Sequence, residues 1–408
     1  VYWILLTNSP VPAMRKLAII ATHPIQYQAP LWRALATTPD LDVHVYYGSD
    51  FSIRGYHDAQ FGVSFKWDLP LTEGYAHTFL STDPAIQNLG GMFDLRATGL
   101  SARLREFQPD AALISAYTPR FFWEALLHLR RQGIPVLLRS EATDVALSRS
   151  LPKKLARQAL LRSFYSQCAR FLAIGHHARQ HYLAHHIPAA RIFSSPYCVD
   201  DALFSRQAAQ FAPQRAATRQ ALGFAAHHTV FLYSAKLIAK KDPLTLARAL
   251  ALVPALQREK LALLVVGDGE LRSEMETTCH AALGQRARFL GFINQSQIGQ
   301  YYAAADCLVL PSVYGETWGL VVNEGFNFGL PAIVSDRVGC HPDLIEAGIT
   351  GFVFPAGDET ALAECLQQTA DWLPANRTPI ATACRNRIAD YSVERAASGI
   401  HQALYSLP

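Results

Sequence analysis

The stretch YGETWGLVVNEGFNFGLPAIVSD, Tyr314–Asp336, has the grammar of a loop, a helix and a strand in that order. Apolar residues at Leu320, Val321 and Phe328 recur at helical spacing, Thr317 is placed to cap the start, and Gly329 before Leu330-Pro331 supplies the stop. The run LPAIVSD that follows reads as a buried strand. Glu316 then falls in the loop before the helix, and Glu324, eight positions on, in its early turns.

The same rhythm extends in both directions. TVFLYSAKL (229–237), LALLVVGDG (261–269) and ADCLVLPS (305–312) precede it as strand-like runs, each followed by an amphipathic segment. An earlier set, KLAIIAT (16–22), LDVHVYYG (41–48), DAALISAY (110–117) and IPVLLRS (134–140), alternates with helical segments such as APLWRALATTP and FFWEALLHLRRQG. Near-continuous apolar strands alternating with helices predict parallel sheets covered on both faces. With 408 residues, two α/β domains of similar size are expected, with the seam in the polar, alanine-rich stretch 198–225.

Composition narrows the function classes. Half the residues are hydrophobic and 17% are charged, and a net charge of +4 makes no case for a nucleic-acid partner. No apolar run reaches the ~20 residues of a membrane span. The seven cysteines show no C-x-x-C spacing, which points to free buried thiols in a reducing cytoplasm and away from zinc. Residues 1–13 read as a disordered extension or start-site artefact, because their short apolar run lacks a charged flank.

The chemistry of the opening stretch follows from its parts. A helix N-terminus offers unpaired N–H groups to an anion, and Gly319 lets that anion approach the backbone. Carboxylates repel phosphate but accept hydrogen bonds from vicinal hydroxyls. Two glutamates around a phosphate-binding turn therefore suit a diphosphate with hydroxyl-bearing rings on each side, the layout of a nucleotide-sugar. Both could instead be solvated helix-start residues complementing the dipole. Upstream, Lys236 ends a strand and Lys241 precedes a helix beginning near Pro243, at the carboxyl edge where open α/β sheets bind ligands. Exposed loop lysines are the plainer reading. VVGDGELR (265–272) adds a strand, a Gly-Asp-Gly turn and a helix, a pattern many α/β turns share.

Taken in order, SAKLIAKKDP, VVGDGELR, FLGFIN (289–294) and PSVYGETWGLVVNEGFNFGLPAIVSD resemble the donor-binding module of the family 4 retaining glycosyltransferases, with its E-x7-E signature. The likeness is close over roughly 225–360 and looser in THPIQYQAPLWRAL (22–35) and PYCVDDALF (196–204). It implies the GT-B fold: α/β, two Rossmann-like, doubly wound parallel-sheet domains facing a cleft. The expected division is an acceptor-binding domain over 14–205, a donor-binding domain over 206–385, and a C-terminal helix in 386–408 crossing back to the first domain. The resemblance makes Glu324 the ligand of the ribose hydroxyls and Glu316 that of the donor sugar. Lys236 and Lys241 bind the diphosphate with the amides of Gly319, Leu320 and Val321, Gly267 belongs to the donor cradle, and the base lies near Gly291, Phe292 and Ile293. The implied reaction is sugar transfer with retention of anomeric configuration. It needs no metal and no cofactor, the nucleotide-sugar being a co-substrate, and the acceptor is a glycan, lipid-linked glycan or small molecule.

The chain departs from the family pattern in places. Lys236 stands for the usual arginine, His23-Pro24-Ile25-Gln26-Tyr27 replaces a Gly-Gly loop, and Arg139-Ser140-Glu141 stands where many members carry a histidine. His23, Gln26 and Glu141 are thus the acceptor-side candidates, His23 being equally readable as a loop-fixing hydrogen bond. His177, His181 and His185 lie at i, i+4, i+8 on one helix, with no carboxylate or cysteine nearby in sequence to complete a metal site. Asp40 and Asp42 form a D-x-D that enters a strand. The stretch 148–164 places Arg149, Lys153, Lys154, Arg157 and Arg162 among Leu151, Leu155 and Leu160 with no acid, which suits either a solvated face or peripheral contact with the inner face of a membrane. Rival readings are a GT-B nucleotide-sugar epimerase and a non-catalytic nucleotide-sugar-binding subunit. A dinucleotide oxidoreductase is disfavoured, since no G-x-G-x-x-G follows the first strand.

Overall fold

The computed structural model describes residues 14–58, 63–86, 91–144 and 150–408, so the expected extension 1–13 and Ser148 and Arg149 of the basic segment lie outside it. The strands, in chain order, are β1 (Arg15–Ala21), β2 (Leu41–Tyr47), β3 (Tyr56–Asp58), β4 (Val63–Phe65), β5 (Ala76–Phe79), β6 (Ala111–Ile114), β7 (Val136–Arg139), β8 (Arg170–Ala173) and β9 (Ile192–Ser194). The second half adds β10 (Thr229–Ser234), β11 (Leu261–Val266), β12 (Ala287–Phe289), β13 (Cys307–Leu310), β14 (Ala332–Ser335) and β15 (Gly351–Phe354).

Two parallel sheets result, ordered β5-β2-β1-β6-β7-β8-β9 and β12-β11-β10-β13-β14-β15, with β3 and β4 pairing separately as an antiparallel hairpin. Every residue of β6, β7, β10, β11, β13 and β14 is buried, because helices cover both faces of each sheet. That is why these strands read as unbroken apolar runs. Of the remaining strands, β5, β8, β9 and β12 carry a histidine, arginine or serine and β15 leaves Val353 exposed, so they were not legible the same way.

Each sheet reverses its winding once, between β1 and β6 and between β10 and β13. At such a switch point the loops leaving adjacent strands turn to opposite faces and open a crevice at the carboxyl edge. The loops after β10 and β13 are the ones carrying Lys236, Lys241 and Glu316. Strand β10 ends at Ser234, so Lys236 lies two residues beyond the strand rather than at its end.

The segment between the sheets is structured. Its helix Asp201–Phe211 is capped by Asp200, which accepts from Leu203 N at 2.8 Å, and Gln207 Nε2 donates to Gln295 O at 2.8 Å in the second half. The helix Val393–Tyr405 buries Ala396, Ile400, Ala403 and Leu404 in one core with Leu17, Ile19, Leu113 and Leu137 of the first sheet. At Gly399 that helix passes so close that an added Cβ would lie 1.7 Å from Ser194 O. Asp40 of the D-x-D accepts from His401 on the same helix at 2.8 Å, which gives it a structural employment.

Candidate active site

A cavity of about 560 Å³ lies between the two sheets, lined from the N-terminal half by Gln26, Tyr27 and Glu141 and from the C-terminal half by Lys236, Lys240, Lys241, Glu316 and Glu324. The helix that carries Glu324 spans Leu320–Asn327, starting two residues later than a Thr317 cap would place it. Gly319 is its N-cap at φ 103°, and a Cβ there would come within 2.9 Å of Leu310 and Val338, so only glycine fits the turn. Thr317 is freed from capping, and its Oγ1 donates to Glu141 Oε2 at 2.7 Å across the cleft.

Glu316 is buried and forms an ion pair with Lys241, while Ser312 Oγ donates to the same Oε2 at 3.0 Å. Burial alone pushes its carboxyl up, but the charges of Lys241 and Lys240 outweigh this and hold it below the ordinary glutamate range. Lys240 is lowered by burial despite the carboxylate beside it. Lys241 closes a short turn at Ala239–Lys241, and Asp242 then caps the helix Pro243–Leu252. Capping fixes where the lysines leave the backbone.

Glu324 is equally buried, but among the described residues no cation lies beside it. Burial raises it to about 7, against hydrogen bonds from Tyr302 and Gln295, and the Tyr302 hydroxyl sits 2.6 Å from Oε2. The two glutamates are thus electrostatically distinct, one ionised by lysines and one poised near neutrality. Leu320, Val321, Phe292 and Ile293 also line the cavity. Gly267, another lining residue, donates its N–H to Gly291 O at 2.8 Å, and a Cβ on it would lie 2.0 Å from Ala235 O. Gly291 itself lies off the lining and meets the site through that bond to Gly267.

On the N-terminal side, Arg139 is buried and donates to Ser195 Oγ at 3.0 Å and Pro196 O at 2.8 Å, so Glu141 is the member of Arg139-Ser140-Glu141 that reaches the cleft. Its other oxygen accepts from the Tyr197 hydroxyl. His23 lies off the cavity lining: its ring packs 4.6 Å from Phe51, Thr22 Oγ1 is 3.0 Å from Nδ1, and burial lowers its pKa to about 4. It is neutral at pH 7. Tyr302, Gln295, Ser312, Tyr27 and Tyr197 were missed in the sequence: Tyr302 and Tyr197 reach the site only through packing, and Gln295, Ser312 and Tyr27 stand beside quoted motifs without belonging to their patterns.

Two sequence expectations are corrected here. The histidine row does meet a carboxylate, since Asp144 Oδ2 lies 2.6 Å from His181 Nδ1. Asp144, His181 and His185 bring ligand atoms within 4.8 Å of one another, but His181 Nε2 already meets the Tyr165 hydroxyl at 2.8 Å and Asp144 Oδ1 holds Arg157 at 2.6 Å. The same pairing removes Arg157 from the basic surface, because an acid distant in sequence neutralises it. The rest of the helix Leu151–Tyr165 stays exposed at Lys153, Lys154, Leu155, Leu160 and Arg162. No helix among the described residues is long and apolar enough to cross a membrane.

Two Rossmann-like domains facing a cleft, with a basic and carboxylate-lined cavity at their switch points, define the GT-B class. Residues 214–371 match the family described as Glycosyl transferases group 1, and residues 42–203 match Glycosyltransferase Family 4. Together these matches support a family 4 glycosyltransferase. An uncharacterised glycosyltransferase of Methanocaldococcus jannaschii is 31% identical over 157 residues, 38% of this chain and 39% of that protein. The sulfoquinovosyl transferase of Arabidopsis thaliana is 34% identical over 146 residues, 35% of this chain and 27% of that protein. The chain therefore spans well under half the length of these curated relatives. A crystal structure from Anabaena in complex with UDP-glucose superposes with a TM-score of 0.68 at 19% identity, covering 96% of this chain and all of that one, a likeness of fold.

Proposed function

We propose that the chain moves a sugar from a nucleotide-diphosphate donor to an acceptor seated against the N-terminal domain, with retention of anomeric configuration. The observation that carries this reading is the separation of roles around one glycine turn. Glu316 beside Lys241 and Glu324 beside Tyr302 flank Gly319 within a single cavity. A diphosphate lies against Lys236, Lys240, Lys241 and the helix N-terminus, where fixed positive charge stabilises the leaving group. Glu324 takes the ribose hydroxyls. Glu316 spends one oxygen on Lys241 and Ser312 and offers the other to a hydroxyl of the donor sugar.

In the transfer the bond from the anomeric carbon to the diphosphate oxygen breaks, and the acceptor oxygen bonds to that carbon on the same face. The acceptor's proton passes to the departing diphosphate. Gln26 and Glu141 are the acceptor-side residues that the cavity favours, and lysines supply the positive charge that a metal would otherwise provide. The exposed basic helix Leu151–Tyr165 gives the same reading a membrane-facing form, in which the acceptor is lipid-linked.

Thermal unfolding against a panel of UDP-, GDP- and ADP-sugars tests the reading. A true donor raises the midpoint with the logarithm of its concentration, and Glu324→Ala abolishes the rise. No stabilisation by any member of the panel overturns it.

A further inference from the structure

The cavity has one wall that the family resemblance does not supply. The segment Lys66–Leu69 follows β4 in the N-terminal half, yet it docks on the loop Phe292–Ser296 of the second half. Asn294 Nδ2 donates to Lys66 O at 2.9 Å, Ser296 N donates to Asp68 Oδ2 at 3.2 Å, and the Ser296 hydroxyl donates to the same carboxylate oxygen. Between these anchors Trp67 is half-buried, packs against the first sheet's core and lines the same cavity as Phe292, Ile293 and Ile298. The loop it meets also supplies Gln295, whose side chain hydrogen-bonds Glu324.

We infer that Trp67 forms the N-terminal-domain wall of the nucleobase subsite and is a donor-specificity residue, resting on the reading above that Phe292 and Ile293 mark the base end of the donor. The chemistry is that of an aromatic face beside a heteroaromatic ring. Stacking is sequence-tolerant in strength, but a rigid indole on one side and a peptide loop on the other set the width available to a pyrimidine or a purine. The two anchors hold the indole in register with the loop. Base recognition is then shared by both domains instead of belonging to the donor domain alone, and the nucleotide itself bridges the cleft.

Calorimetric titration of the full chain with UDP, GDP, ADP and inorganic pyrophosphate tests this. Trp67→Ala is expected to raise Kd for the tightest of the three nucleotides by roughly tenfold and to narrow the spread among them, while pyrophosphate affinity stays within about twofold. Trp67→Phe is expected to restore most of the affinity, and Trp67→Leu, which keeps an apolar side chain without a π-face, is not. Equal weakening of nucleotide and pyrophosphate, or restoration by leucine as complete as by phenylalanine, overturns the inference. Glu324→Ala separates the two readings. If it weakens nucleotide binding while Trp67→Ala does not, the base-wall role fails alone. If neither variant changes nucleotide binding, the donor site itself is misplaced.

Discussion

At the scale of single residues, the site depends on two carboxylates that burial treats alike and neighbours treat differently. Glu324 is raised to about 7 by burial, and in the proposed reading it accepts the ribose hydroxyls best when ionised. Its folded pKa lies above the unfolded value, so the proton it holds stabilises the unliganded fold below about pH 4.5, and that contribution is lost as pH rises through 7. Donor affinity runs the other way. With a nucleotide-sugar, whose diphosphate does not titrate in this range, affinity is expected to fall about tenfold per unit as pH drops below 7. Glu324→Gln should bind weakly and flatly from pH 6 to 8 by calorimetry. For Glu316 the dominant neighbour is Lys241, and Lys241→Ala is expected to cut turnover by about 10²–10³-fold. It should also move the acid limb of the rate profile upward, because the buried carboxylate loses the cation that lowers it. Gly319→Ala forces a Cβ onto Leu310 and Val338 at a left-handed φ, so donor binding should weaken with little change in overall secondary structure by circular dichroism.

At the scale of elements, what could be read in advance follows from what is local. The helix Leu320–Asn327, the preceding loop and the buried strands were legible, since apolar period, glycine stops and loop acids lie within one window of sequence. The helix start was not, because Thr317 makes its hydrogen bond across the cleft to Glu141. Tyr302 was invisible for the same reason: it belongs to the helix Gly299–Ala304 and meets Glu324 only through packing. Arg157 looked like part of a basic face until Asp144, from the loop after β7, paired with it. The remaining face of Leu151–Tyr165 carries Lys153, Lys154 and Arg162 beside exposed Leu155 and Leu160. Sedimentation with vesicles containing anionic lipid should show pelleting that salt reverses, and Lys153→Glu with Lys154→Glu should abolish it. Absence of pelleting at low salt removes the lipid-linked form of the function.

At the scale of the whole molecule, the two halves are joined by more than a hinge. Asn323 Nδ2 donates to Tyr197 O at 2.9 Å, Thr317 reaches Glu141, and Asn294 and Ser296 hold the Lys66–Leu69 segment. Breaking Thr317 from Glu141 with Thr317→Val is expected to change the small-angle scattering profile of the nucleotide-free protein more than that of the nucleotide-bound one, because bound donor supplies its own bridge. The helix Val393–Tyr405 matters in another way. Leu404→Ala removes fully buried volume from the first sheet's core and should cost about 2–4 kcal/mol in chemical denaturation. That helix is encoded after the entire second sheet, yet it fills the core of the first. A ribosome has therefore translated the second sheet before the first can close its own interior. Until that helix is made the first sheet has an open apolar flank, and anything that covers it during synthesis, a chaperone or a membrane surface, acts on the N-terminal half.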